Sequence, residues 1–509
     1  MVSLAIGCIA STAALAAAFV FLGGGKLRRR PLPPGPRPLP LIGNVFDIPR
    51  SNAWERFIEW KDLYGEVVYI SILGRSIVLL NSVKSTTDLL EKRAPSYSDR
   101  PQFPLIKVGH QWNFGFKPYG REWQSLRRTF TSQYNSMATL RSFYDAHRAS
   151  ATTFLLNVLH KPEELSNHMR IRGAQVIFEV TYGISVQSWD DTLVQTAEAV
   201  MDVVSIALYP SMWIINPISI LNSFPRWLGG GIVAARVRRW QADLENLRNA
   251  PFEVVKKSLA TGTAKPCFTA NLLQELETSS ENNMNEGIIR DTAAIALGAA
   301  YETTFAAGEV FLLAMLLNEP VQGSAQREID SVVGSDRLPD FIDRERLPFV
   351  TAVMKEVLRW HPPAPTGIPH ELTHDDMYEG MFLPAGSIVM ANIWGLLHDP
   401  TMYPDPFTFD PSRFIRDGKL DCTKNDPSRF VFGFGRRACP GRLFTEDSLW
   451  LMIAQFLAVY SISPPSNGGP PPKAAFTSGA ISRPLPFKHV VRPRSQAAQN
   501  LLTQLAQGQ

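Results

Sequence analysis

The stretch richest in chemistry reads Phe430-Val431-Phe432-Gly433-Phe434-Gly435-Arg436-Arg437-Ala438-Cys439-Pro440-Gly441. Glycines on both sides of the cysteine permit a tight loop with backbone angles that other residues resist. Phe432 supplies an apolar wall, and a helical run, Phe444–Tyr460, follows. A cysteine just ahead of a helix amino terminus, beside two arginines, has its thiolate favoured by dipole and charge. Backbone N–H groups of such a loop can also donate to the sulfur. A soft thiolate in apolar, arginine-flanked surroundings suits the iron of a haem. Two other readings stand beside this one. A lone cysteine is commonly a small core residue. Gly433–Ala438 also satisfies the dinucleotide pattern GxGxxA, but lacks the strand–helix–strand unit that the pattern needs around it.

Three further constellations carry charge or hydroxyl chemistry. Glu356 and Arg359 lie three apart on an apolar predicted helix, Phe349–Trp360, so they share a face and point to a buried pair in need of more partners. Glu302 and Thr303 interrupt a long apolar helical run, Asn285 to Asn318. Thr303 there either bonds back to the preceding turn or takes part with Glu302 in moving protons. Trp123 and Arg127 lie four apart on one helix face.

Phe432, Gly435, Arg437, Cys439 and Gly441 fill every position of FxxGxRxCxG. With this segment the chain resembles the cytochrome P450 family of haem-thiolate monooxygenases, and is similar to its fungal microsomal members. The resemblance implies haem as cofactor, Cys439 as the proximal iron ligand, and Phe432, Gly435 and Gly441 as parts of its loop. It implies that Glu356, Arg359 and Arg413 (in Pro411-Ser412-Arg413-Phe414) form a structural Glu–Arg–Arg network. Thr303 falls at the catalytic position of the [AG]GxxT oxygen-activation motif, with Glu302 gathering protons; Ala300 stands where glycine is usual. Trp123, Arg127, His370 and Arg437 are the implied donors to the haem propionates. The implied partners are NADPH-cytochrome P450 reductase, cytochrome b5 as a further donor, and an apolar small molecule. Reduction is expected on the cysteine side, where Arg436 and Arg442 lie. Pocket walls are implied from Phe103–Phe116, Val204–Leu228, Ile295–Ala300, Ala364–Ile368 and Phe476–Ala480. Tyr209, Met212, Trp213, Phe224 and Trp227 serve either these walls or a membrane surface. A reductase-independent isomerase and a non-enzymatic haem carrier are the rival functions.

These residues need a large scaffold, and 509 residues with 45% hydrophobic content provide one. A net charge of +4 argues against nucleic acid as partner. Four scattered cysteines without a CxxC pair exclude a disulfide framework or a zinc-cysteine site. The expected fold is mainly α with small β-sheets, the cytochrome P450 fold: one large haem domain, residues 45–494, behind a transmembrane anchor, residues 1–25. The apolar run Val2–Leu22 is long enough to span a bilayer, and Lys26, Arg28, Arg29 and Arg30 follow it. The basic cluster is expected to hold the body on the cytosolic side, and the resemblance to microsomal members implies the endoplasmic reticulum membrane. Six prolines between Pro31 and Pro40 predict a stiff extended spacer within a hinge over 26–44. Strands are expected at Val67–Leu73, Ser76–Asn81 and Ser387–Ala391, and helices at Trp123–Phe130 and at Trp240–Ala250, the latter interrupted by Pro251. The tail, 495–509, is Gln-rich and expected to be mobile.

Overall fold

The computed structural model describes residues 30–103, 106, 109–209, 230–278, 284–465 and 472–507. The expected anchor lies outside the described residues. Within them, helices predominate: α1 (Ala53–Tyr64), α2 (Arg121–Tyr134), α3 (Tyr144–His160), α4 (Leu165–Tyr182), α5 (Thr192–Leu208), α6 (Gly230–Ala260), α7 (Phe268–Thr278), α8 (Glu286–Leu317), α9 (Glu319–Val332), α10 (Pro348–Trp360), α11 (Arg442–Val459) and α12 (Gln496–Gln507). One four-stranded sheet stands at the side. In it β1 (Val67–Ile72) and β2 (Arg75–Leu80) form a hairpin, and β3 (His370–Glu371) and β4 (Ile388–Ala391) complete the order β1-β2-β4-β3. The β2–β4 pair is parallel, with Ile77 beside Ile388; the other pairs are antiparallel. A separate pair, β5 (Tyr460–Ser463) and β6 (Val490–Pro493), follows α11.

Helix α8 is the spine. The Asn285 side chain caps it by accepting from the Ile288 amide at 3.0 Å, and Asn318 ends it. Its later half packs with α3, α9, α10 and α11 around Phe311, Met315, Leu449 and Phe456. Its earlier half packs with α2, α4, α6 and α7 around Phe130, Phe178, Phe268 and Leu297. Among the described residues it is the one helix apolar enough to cross a membrane, yet 83% of its most apolar window is buried in the fold, so it is a core helix.

The structure corrects three expectations. Helix α6 runs through Pro251 instead of stopping there, because buried Leu244 and Leu247 before it and Phe252 and Val255 after it hold both halves against the same core. The tail forms α12, whose Ala498, Leu501 and Leu502 are buried; a period of three and four outweighs its polar composition. The proline segment is no free spacer. The Pro31 carbonyl accepts from the Phe382 amide at 2.7 Å, and the Pro34 carbonyl from the Tyr69 amide at 2.9 Å. Gly35 lies so close that a Cβ there would sit 1.9 Å from the Tyr69 carbonyl oxygen.

Candidate active site

Cys439 sits in a loop tied at its root, where its own amide donates to the Phe432 carbonyl at 2.6 Å. The path is tight enough to demand glycine. Gly435 has φ +54, and a Cβ there would meet the Leu90 carbonyl oxygen at 2.2 Å. Helix α11 starts three residues later, at Arg442. The Cys439 side chain is accessible although protein encloses it deeply, the mark of a group lining an internal cavity. Burial pushes its thiol up; the Gly441 amide, hydrogen-bonded to it, and the Arg127 charge pull it down. The flanking arginines are not the ones that act on the sulfur. Arg437 turns away to donate to the carbonyls of Ser98, Phe114 and Lys117 at 2.7, 3.0 and 2.8 Å. Arg436 donates to the Tyr119 hydroxyl at 2.9 Å.

The four other expected cofactor contacts converge. The Arg437 guanidinium lies 4.6 Å from the Trp123 ring centre and that of Arg127 5.9 Å from it. Arg127 also donates to the Ala438 carbonyl, which joins α2 to the cysteine loop. His370, on β3, is buried and hydrogen-bonded through Nδ1 to the Tyr97 carbonyl at 2.7 Å. Burial holds it well below the ordinary histidine range, with Arg100 and Arg437 adding to that effect. Arg100 was not foreseen from the sequence. It donates to the carbonyls of Gly115, Ile368 and Pro369 from a fully enclosed position. Burial first, then the neighbouring Arg437, lowers its affinity for protons. Three enclosed arginines thus gather beside Trp123 and hydrogen-bond chiefly to neutral carbonyls. The Trp123 Nε1 is buried without an acceptor. A cleft of about 430 Å³ opens there, lined in part by Gln102, His110, Phe116 and Trp123.

Behind the loop, Glu356 accepts from Arg359 at 2.7 and 2.8 Å, from Arg413 at 3.2 Å and from the Asp410 amide at 2.8 Å. Arg359 then donates to the carbonyls of Leu397 and Pro406. The network joins α10 to the turn Pro411–Phe414, as the three residues imply. A second network escaped the sequence reading. The Lys355 Nζ meets Glu446 at 3.0 Å, Ser428 at 2.8 Å and Asp426 at 3.1 Å. Arg442, expected to face an electron donor, keeps 39% of its side chain exposed and lies 3.5 Å from Glu446 and 3.7 Å from Asp426.

Between Thr292 and Leu316 every side chain of α8 is buried except Ala299, Ala300 and Thr303. Ala300 packs against the cluster that holds Trp112, Phe114 and Trp123. The Thr303 hydroxyl donates to the Ala299 carbonyl at 2.9 Å, the back-bond of a mid-helix threonine. Glu302 points elsewhere and is buried toward α4 and α5. Burial raises its carboxyl, Arg483 and Arg170 oppose that, and Asp202 adds to it.

A sequence model described as Cytochrome P450 matches residues 33–491. The chain belongs to the cytochrome P450 family. It is 38% identical over 490 residues to cytochrome P450 monooxygenase 208 of Postia placenta, covering 95% of this chain and 94% of that one. It is 36% identical over 489 residues to a cytochrome P450 monooxygenase of Armillaria gallica, 94% and 95% of the two chains. It is 35% identical over 473 residues to cytochrome P450 monooxygenase COX1 of Coprinopsis cinerea, 90% and 91%. The chain is therefore an oxidoreductase of the monooxygenase kind, with haem as its cofactor. The donor set fits that group. A haem carries two carboxylates, and this P450 offers three enclosed arginines and the orphaned Trp123 N–H on one side of the site and an accessible cysteine sulfur in the adjoining loop.

Proposed function

We propose that the chain is a membrane-anchored haem-thiolate monooxygenase that inserts one oxygen atom of dioxygen into an apolar small molecule, by hydroxylation or epoxidation, in secondary metabolism or the oxidation of foreign compounds. Its electrons come from a separate NADPH-cytochrome P450 reductase, with cytochrome b5 as a second donor, at the cytosolic face of the endoplasmic reticulum. The observation that carries this reading is the accessible Cys439 beside enclosed arginines that hydrogen-bond chiefly to carbonyls, with Asp99 the carboxylate that acts on Arg100 and Arg437. When bound, thiolate-ligated haem supplies dioxygen activation.

The residues of the chain do the rest. Cys439 holds the iron, steadied by the Gly441 amide. Arg100, Arg127, Arg437, His370 and Trp123 hold and orient the propionates. The network of Glu356, Arg359 and Arg413 keeps the loop in register. Ala299 and Ala300 leave room above the site, and Thr303 holds a proton at its hydroxyl; Glu302, which faces away from it, supplies that proton through water rather than by contact. Ile295 and Ala480, buried and apolar, and the half-buried Ala364 fit walls for an apolar substrate. Tyr209 packs inward with Phe57, Phe103 and Met390, which favours the wall over the membrane role for this residue. Met212, Trp213, Phe224 and Trp227 lie outside the described residues.

The test is a purified, haem-loaded chain with carbon monoxide, then NADPH, reductase and a panel of apolar compounds. A spectrum of sulfur-ligated iron and products heavier by one oxygen are expected. Turnover without NADPH and reductase would favour the isomerase; binding without dioxygen consumption, the carrier.

A further inference from the structure

Two turns beyond Glu302, on the same face of α8, lies a second buried acid. Glu309 is 7% exposed, and its Oε1 has no hydrogen-bond partner. Its carboxyl is hydrogen-bonded to the Ser166 side chain, which sits exposed on the first turn of α4. One turn further along α4, Arg170 is paired with Glu198 of α5 and lies 4.6 Å from the Phe305 ring centre. Arg483, from the segment before β6, lies 5.2 Å from the same ring. Phe305 stands between the two acids on the helix, and both guanidiniums act on Glu302 and on Glu309. Asp202 of α5 faces Glu302, and the Tyr301 hydroxyl nearby is buried without a partner. Two buried carboxyls, Glu302 and Glu309, therefore share two arginines, one of which is already paired with the half-buried Glu198. Charge in such a poorly solvated place is costly, so the buried pair is suited to hold a proton. Burial is the main influence on Glu309, and it favours the neutral acid.

We propose that Glu309 is a second proton-holding carboxyl behind Glu302, refilled from solvent at Ser166 and discharging toward Glu302 through water held by Arg170 and Arg483. Seven residues at ~1.5 Å each separate the two acids by ~10 Å, too far for direct transfer. The proton leaves the Glu309 carboxyl, passes by exchange along water and protonates the Glu302 carboxylate. The Glu309 carboxylate then takes a proton from solvent beside Ser166. Glu309 acts through Glu302 and touches no substrate. The inference rests on the monooxygenase reading above, in which Glu302 supplies Thr303.

The experiment compares haem-loaded wild type, E309Q, E309D, S166A and E302Q. Infrared spectra in light and heavy water should show a protonated-carboxyl band that E309Q removes, and E302Q should shift its pH midpoint. With NADPH and reductase, E309Q should lower product formed per dioxygen about fivefold to tenfold, less than the ~10²-fold cost of losing a direct proton donor. It should enlarge the solvent isotope effect and leave substrate affinity unchanged. E309D should restore part of the loss, and S166A, a surface change that leaves the core intact, should slow turnover in the same sense. A band that survives E309Q, a midpoint indifferent to E302Q, or unchanged coupling and isotope effect in E309Q would overturn the relay. If wild type oxidises nothing, the monooxygenase reading fails, while the infrared arm still decides whether Glu309 holds a proton that answers to Glu302.

Discussion

Thr303 and Glu302 are adjacent in the chain but face different surroundings, one the accessible window of α8, the other a buried charge cluster. T303A removes the hydroxyl and leaves the acid in place. Dioxygen use should persist while product falls by up to ~10²-fold and peroxide rises, read by oxygen electrode and product mass. Normal coupling would place the proton-holding group elsewhere. His147 gives a separate test that needs no substrate. It is buried between the Phe341 and Phe444 rings, and burial, aided by Arg172, lowers its pKa from 6.5 to about 3. Below pH 6.5 an unfolded histidine binds a proton that the folded one refuses, so this group makes stability fall as pH drops toward its folded pKa. H147F abolishes that contribution. Denaturant titrations at about pH 7 and about pH 5 should show wild type losing ~2 kcal/mol more than the variant, from ~1.4 kcal/mol per pH unit. Equal losses would mean that His147 titrates normally. Cys439 was legible because its loop is contiguous, with each glycine, arginine and aromatic at a fixed offset. Arg100 was not, because its role depends on carbonyls at Gly115 and Ile368, far along the chain.

Elements joined by buried charge should fail when one partner is removed. E356A would leave Arg359 and Arg413 buried without their carboxylate and should cost ~3–5 kcal/mol in unfolding measurements, with haem retention falling in parallel. A loss below about 1 kcal/mol would show that carbonyls and water satisfy the arginines unaided. All three members were named from the sequence, Glu356 and Arg359 by lying one helical turn apart and Arg413 by the family resemblance. The Lys355–Glu446 contact spans 91 positions and left no local trace. The tail shows the opposite failure, a signal present but outweighed. Ala498, Leu501, Leu502 and Leu505 follow helical spacing within a Gln-rich segment, and the structure docks them on the core that α3 and α11 share. Ending the chain after Ser495 should destabilise it by ~3–6 kcal/mol, at ~1.5–3 kcal/mol for each of Leu501 and Leu502 re-exposed, read from thermal melting. An unchanged melt would make α12 an ornament.

For the molecule as a whole, α8 divides the labour. One face carries the accessible Ala299, Ala300 and Thr303, another carries the acid cluster, and the rest is core. This division was visible only in part. Length and apolarity announced a buried helix, but the facing of its few polar residues depends on neighbours that α4, α5 and the segment before β6 bring from far away. The proposed anchor can be tested at this scale. Removing residues 1–29 should move the protein from the membrane to the soluble fraction of a lysate and leave the carbon-monoxide spectrum intact. Retention in the membrane fraction would assign attachment to the body. The strap over Pro31–Pro36 carries a mechanical consequence for such attachment. Its carbonyls are stitched to Tyr69 and Phe382, so a tilt or tug applied upstream of Arg30 reaches the edge of the sheet without slack. The body would ride as if on a short rigid mooring, its heading set by a few hydrogen bonds rather than left to drift.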